Sequence, residues 1–215
     1  KIAQAGKDEN ITQITGVPSW NLVLLNRILE ITGKDNMLEV WPNFELYVHG
    51  GVSFTPYREQ YQRLFPSDKV NYTETYNASE GFFGIQDTWH GKNEENDMLL
   101  MLDYGIFYEF IPIERARDEQ PKTIGLDEVE LGKVYALVIS TNAGLWRYQI
   151  GDTIEFTSLS PYRIRVAGRV KYFINAFGEE LMYENAEHAL EVACNKTGAV
   201  VAEFTAGPVY ASEQE

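Results

Sequence analysis

Val70-Asn71-Tyr72-Thr73-Glu74-Thr75-Tyr76-Asn77-Ala78-Ser79-Glu80-Gly81-Phe82-Phe83-Gly84-Ile85-Gln86 reads as two strands joined by a short turn. β-Branched and aromatic residues dominate 70–76 and 82–86, as a pleated, half-buried surface demands. Downstream the strand texture continues over 98–103, 107–111, 133–140, 146–149, 153–157 and 162–166. Turn signals at 91–93, Gly105, 117–121, 142–144 and 158–161 separate these segments. Upstream, 44–49 alternates apolar and polar and runs into Gly50-Gly51. Residues 1–18 read as a loop or short strand ending at Pro18. A helix follows, with Ser19 as its cap and Gly33 as its stop. Its apolar face is read from Trp20, Val23, Leu24, Ile28 and Ile31. Thr55-Pro56 opens a second helix that ends near Phe65-Pro66. After Gly168-Arg169 the texture changes: a helix over 183–196 and a strand over 199–205 resemble the start of a second α+β unit. The fold class is α/β, with a domain boundary near Lys171.

The 215 residues are 44% hydrophobic and 23% charged, which are globular proportions. Lys and Arg number 18 and Asp and Glu 32, a net charge of −14. That balance argues against a nucleic-acid face and against an anionic membrane surface, both of which need clustered cations. It leaves room for a nucleotide, held by backbone N–H groups, a metal and one or two cations. The single cysteine, Cys194, permits no intrachain disulfide and fits a reducing compartment, the cytoplasm. No apolar run approaches the roughly 20 residues of a membrane span. Trp20, Trp41, Trp89 and Trp146 are expected in the core or along a cleft. His49, His90 and His188 show no metal-ligand spacing.

Four segments carry chemistry. The turn after Tyr76 combines an aromatic face for a base, N–H groups and the Ser79 hydroxyl for a phosphate, and the Glu80 carboxylate for Mg²⁺, a hard cation that takes oxygen ligands. In Leu145-Trp146-Arg147-Tyr148-Gln149-Ile150-Gly151-Asp152 a glycine turn delivers an aspartate able to accept both hydroxyls of a ribose. Arg169 stands where the chain leaves one unit for the next, within reach of a ribose or phosphate. His49-Gly50-Gly51-Val52 lets the backbone approach a planar ligand closely. Taken singly, each of these is equally at home as plain structure: a Ser-Glu turn, a Gly-Asp hairpin, a linker ion pair, a Gly-Gly turn.

Together, in this order, they resemble the motifs of the adenylate-forming superfamily, and within it the auxin-responsive acyl-acid amido synthetases, in a bacterial-type member. Gly16-Val17-Pro18-Ser19-Trp20 with Leu24-Leu25, the Tyr76–Glu80 turn followed by Phe82-Phe83-Gly84, and the segment 144–152 carry the likeness. The resemblance implies the later part of the large domain over 1–170, with mixed sheets, a barrel-like region and flanking helices. The hinge and the beginning of a small α+β C-terminal domain then occupy 171–215. It implies ATP and Mg²⁺, a carboxylic acid activated as its acyl-adenylate, and an amine or amino acid as acceptor. Gly50, Gly51 and Val52 would lie against the adenine and acyl end. Tyr76, Asn77, Ala78, Ser79 and Glu80 would hold adenine, phosphate and metal, with Asp152 on the ribose and Arg169 beside it. Phe82 and Phe83 are candidates for the acyl pocket.

The resemblance places the family's phosphate loop upstream of Lys1 and its C-terminal lysine beyond Glu215. That leads us to expect a fragment, inactive alone and without a confidently assigned catalytic residue of its own. Tyr172 and Asn175 depart from the acidic residue and lysine of many relatives' hinges. An acyl-CoA ligase and a non-catalytic nucleotide-binding relative are the alternatives.

Overall fold

The computed structural model describes residues 1–88, 97–170, 173–176, 179–199, 201 and 204; of 173–176, 179–185, 187 and 195 it describes the backbone. The turn at 91–93, Trp89, His90, Lys171, Tyr172 and most of the expected strand 199–205 lie outside the described residues. The chain forms two compact units, one built mainly from Lys1–Asn77 and the other mainly from Ala78–Val200.

In the first unit, helix α1 (Ile2–Gly6) and strand β1 (Gln13–Thr15) precede helix α2 (Pro18–Thr32). Strand β2 (Leu46–His49), helix α3 (Arg58–Leu64) and strand β3 (Asn71–Ala78) follow. The three strands pair in parallel, with β2 in the middle. Helix α2 starts on Pro18 in its first turn, a position that needs no N–H, with Val17 rather than Ser19 at the cap and no capping side chain. It ends on Gly33 in the left-handed conformation, as the sequence leads one to expect. Its buried face matches the expected one only in part: Ile28 is buried, and Leu24 and Ile31 pack against the core. Leu22, Leu25 and Ile28 enter the core, while Trp20 and Val23 are each 70% exposed. Both sets recur at helical spacing, so periodicity alone does not choose between them. The second helix also begins later than Thr55, after a single 3₁₀ turn over Thr55–Tyr57.

The core of this unit is aromatic. Met37, Trp41, Phe44, Tyr47, Phe54, Tyr61 and Phe65 join the α2 leucines. Tyr47 and Tyr61 stack with ring centroids 4.5 Å apart. Their hydroxyls meet at 3.0 Å; Tyr61 donates to the Pro18 carbonyl at 2.9 Å and Tyr47 to the Gly16 carbonyl at 2.8 Å. Burial pushes both phenols above their ordinary pKa, so both stay uncharged and the helix start is pinned to β2 by neutral hydrogen bonds. Tyr61→Phe strips the Pro18 carbonyl of its buried donor. We expect it to lower the stability of this unit by about 1–2 kcal/mol in urea denaturation, with the helix content intact.

The second unit is an antiparallel sheet. Strands β4 (Gly81–Ile85), β5 (Met98–Leu100), β6 (Ile106–Pro112), β7 (Val134–Thr141), β8 (Tyr148–Leu159) and β9 (Tyr162–Arg169) stand in the order β4-β5-β9-β8-β7-β6. Residues 135–139 of β7 are all buried, as befits a central strand covered on both faces. The segments expected at 146–149 and 153–157 form one strand of 12 residues, β8, kept continuous by bulges. The edge strand β6 is blunted by a two-way backbone pairing of Phe110 with Ile124.

Arg163 of β9 takes Asp87 in a two-pronged ion pair, at 2.7 and 3.1 Å, and reaches Asp97 at 3.2 Å. Thr157 donates to Asp97 at 2.7 Å. Asp97 is therefore tied into the sheet. Beyond β9 come a two-stranded ribbon, β10 (Phe173–Ala176) and β11 (Glu179–Met182), and helix α4 (Tyr183–Thr197). Among the described residues no helix is long and apolar enough to cross a membrane.

Candidate functional site

In the first unit β2 delivers Gly50 and Gly51 at its C-terminal end, the end of parallel strands at which ligands gather in open α/β sheets. A Cβ on Gly50 would stand 2.4 Å from the Thr75 carbonyl oxygen, so only glycine lets β2 and β3 come this close. Gly51 adopts φ +83°, a backbone that other residues resist. Val52 is half-buried. Tyr76, near the end of β3, is 7% exposed, so the open flat face expected of it is covered. Asn77 beside it is exposed.

In the second unit Ala78 and Glu80 are half-buried and Ser79 is exposed. The two phenylalanines of β4 part ways, as neighbours on a strand must. Phe83 is fully buried and meets the Tyr108 ring edge-on at 6.5 Å. It is a core residue, and only Phe82 remains a candidate for a pocket wall. Phe82 is half-buried, its ring 5.9 Å from that of Tyr104, which is 55% exposed.

Asp152 does not follow a hairpin turn. It lies inside β8, directly opposite Arg169 of β9. Gly151 before it takes φ +89°, and its carbonyl accepts from the Val170 N–H at 2.8 Å. The left-handed glycine sits within a continuous strand, and the carboxylate follows it at a fixed register. The Arg169 Nε donates to Asp152 Oδ1 at 2.6 Å. The Asp152 side chain is 11% exposed and that of Arg169 50%. A buried carboxylate oriented by a half-exposed guanidinium is a preorganised acceptor, and the pair projects both a carboxylate and a cation from one place on the sheet. Among the described residues no three His, Cys, Asp or Glu side chains converge as a metal cage. Magnesium held by one carboxylate and substrate phosphates needs no cage, so Glu80 fits that role.

Two features were not legible in the sequence. Arg147, a non-glycine residue, has φ +45°. Its N–H donates to Ser140 Oγ at 2.9 Å, its Nε to Glu109 at 3.1 Å and its Nη2 to Thr123 at 2.8 Å. The network holds the entry to β8, while Trp146 beside it, expected in the core or a cleft, is 83% exposed. The second feature is His49. It is 3% exposed, stacked on Phe54 at 4.2 Å, and its Nδ1 has no hydrogen-bond partner. Its place on the same face of β2 as Tyr47 was readable from the alternation over 44–49. Nothing in the sequence marked it as more than a core residue.

The fold is that of an adenylate-forming enzyme. A solved structure of the GH3.15 acyl acid amido synthetase aligns with a TM-score of 0.55 at 20% identity, over 77% of this chain and 30% of that one. A 2-hydroxyisobutyryl-CoA ligase in its postadenylation state, in complex with 2-HIB-AMP, aligns with a TM-score of 0.63 at 13% identity, over 89% and 39%. The GH3 family N-terminal domain matches residues 1–70 and the GH3 family central domain residues 99–169. The chain belongs to the GH3 family. It is 30% identical over 166 residues to indole-3-acetic acid-amido synthetase GH3.3 of Arabidopsis thaliana, covering 73% of this chain and 27% of that protein. It is 32% identical over 129 residues to jasmonoyl--L-amino acid synthetase GH3.5 of Oryza sativa subsp. japonica, covering 54% and 22%. The chain thus spans about a quarter of the length of these curated relatives.

Proposed function

We propose that this chain is part of an ATP-dependent ligase that joins a carboxylic acid to an amine or amino acid. The acid's carboxylate oxygen attacks the α-phosphorus of ATP and pyrophosphate leaves, giving an acyl-adenylate. The amine nitrogen then attacks the acyl carbon, loses a proton, and AMP departs as the amide forms. The observation that carries this reading is the Asp152–Arg169 pair, one residue buried and the other half-exposed, within the region that matches the family's central domain. In this reading Asp152 accepts the ribose hydroxyls and Arg169 holds the carboxylate in place for them.

The N–H groups of Asn77 and Ala78 and the Ser79 hydroxyl hold phosphate oxygens. Gly50, Gly51 and Val52 flank the adenine and acyl end, and Phe82 lines the acyl side. Glu80 would hold magnesium, which would supply positive charge where negative charge builds in the transfer. The single cysteine fits a reducing compartment such as the cytoplasm.

Calorimetric titration of the chain with a non-hydrolysable acyl-adenylate mimic and Mg²⁺ tests this. Asp152→Ala is expected to weaken binding by about 1–3 kcal/mol, roughly fivefold to 150-fold. Equal affinity of the two proteins, or no binding by either, would overturn the assignment.

A further inference from the structure

The residues on either side of the Gly50-Gly51-Val52-Ser53 turn are stacked on one another. His49 precedes the turn and Phe54 follows it, and their rings lie 4.2 Å apart at 19°. Both are buried, at 3% and 5% exposure. Each side of the turn is anchored separately. The His49 carbonyl accepts from Thr75 Oγ1 at 3.3 Å, and Gly50 rests against the Thr75 backbone. Phe54 is wedged against Tyr61 and Tyr72, each 5.3 Å away, with the Arg58 guanidinium 5.7 Å from its ring centre. The four intervening residues have no regular structure of their own, so the His49–Phe54 stack closes the turn.

Stacking alone does not call for histidine. Phenylalanine would fill this place without leaving a buried ring nitrogen unpartnered, which is unfavourable. A titratable ring at the root of a ligand-facing turn, kept against that cost, is the pattern of a residue retained for function.

We propose that His49 is a positioning residue: its uncharged imidazole clasps residues 50–53 through Phe54, and protonation of the ring unfastens the turn. The charged and titratable groups around it include one cation, Arg58, which opposes a second positive charge, and one carboxylate, Glu74. They are Arg58 of α3, Tyr47 of β2, Tyr72 and Glu74 of β3, and Tyr57 and Tyr61 around α3. Glu74 is the register partner of His49 on β3; it already has an interaction in the fold. Burial, reinforced by Arg58, pushes the imidazole down to about 3. Once the turn opens, the ring regains its ordinary value near 6.5. The open form therefore binds a proton that the closed form refuses. Below about pH 6.5 the open population rises, approaching tenfold for each unit of pH. That the turn faces a nucleotide rests on the function proposed above; the clasp itself does not.

The test is ¹⁵N relaxation dispersion on the Gly50 and Gly51 amides of the 215-residue chain, between pH 7 and pH 5. The wild type is expected to show an open population that grows about 25-fold from pH 7 to pH 5, with most of the rise below pH 6. His49→Phe keeps the stack and loses the proton site, so its turn should stay closed and insensitive to pH. His49→Ala loses the stack, so its turn should be mobile at every pH while the amides of Val48 and Thr73 stay ordered. A pH response in His49→Phe like that of the wild type, or an ordered turn in His49→Ala, would overturn the proposal. Binding of the adenylate mimic over the same range separates the two readings. If the mimic fails to bind but the dispersion behaves as described, the clasp stands and the nucleotide assignment falls.

Discussion

Gly50→Ala is expected to destabilise the N-terminal unit by about 3 kcal/mol, at the upper end of ordinary overpacking. The backbone conformation is not the cause, since Gly50 lacks the left-handed φ of its neighbour Gly51. The cause is space. The added Cβ would stand 2.4 Å from the Thr75 carbonyl oxygen and 3.3 Å from its Oγ1. A flexible side chain could swing away from such a contact, but a carbonyl in the β3 backbone cannot. It belongs to a strand whose register with β2 runs from Asn71 to Glu74. The strands must part at their C-terminal ends, and the Thr75-to-His49 hydrogen bond goes with them.

Gly51→Ala offers a contrast. Its Cβ would meet only Val17 Cγ2 at 3.4 Å, so the penalty is the left-handed backbone, about 1–2 kcal/mol. Hydrogen exchange followed by mass spectrometry on peptides from 18–65 and from 134–159 measures both effects. Gly50→Ala should raise exchange in the first set and spare the second. Equal exchange of wild type and Gly50→Ala in the first set would show that the two strands are not held together there.

This pair of glycines marks how far sequence reasoning reaches. That Gly50-Gly51 allows close approach was legible, but which partner approaches was not, because Thr75 lies 25 residues away and on another strand. The strands 134–141 and 106–112 were readable because their apolar runs allow little else. Helix α2 was readable in extent and in its stop at Gly33, but only in part in the face it buries. Its residues Trp20 and Val23 are as apolar as Leu22 and Leu25, and only the packing of the unit decides between the two stripes.

Asp152 was expected after a glycine turn, and it lies inside a strand. Gly151-Asp152 carries the same signature in a hairpin turn as in a bulged strand. The choice depends on the partner strand, which supplies Arg169 across the ladder. The Arg163 clamp on Asp87 and Asp97 joins residues 76 and 66 positions apart, and no local pattern encodes it. His49 was weighed on its own only for metal-ligand spacing, which it lacks. It is core, and its unusual property, an unpartnered buried nitrogen, exists only once the fold surrounds it.

The second large effect lies in the other unit, where Phe156→Ala is expected to cost about 3–5 kcal/mol. Phe156 is fully buried in β8. Its ring meets Phe110 of β6 at 5.2 Å, Tyr135 of β7 at 6.0 Å and Tyr162 of β9 at 6.1 Å, each close to perpendicular. One side chain therefore joins four strands of the antiparallel sheet, and edge-to-face contacts add to the plain burial of its area. Truncation leaves a cavity that the flanking strands cannot fill, because β8 is paired on both sides along its length.

Phe156 also stands four residues after Asp152 on the same strand, beside the bulge between Phe156 and Ser158. Loosening it should relax the register that sets Asp152 opposite Arg169. Urea denaturation measures the stability, and titration of the adenylate mimic measures the site. We expect Phe156→Leu, which keeps most of the volume, to recover the greater part of both. If Phe156→Ala lost its stability yet bound the mimic as tightly as the wild type, Asp152 would owe its position to the Gly151 bulge and Arg169 alone, not to the packing beneath β8.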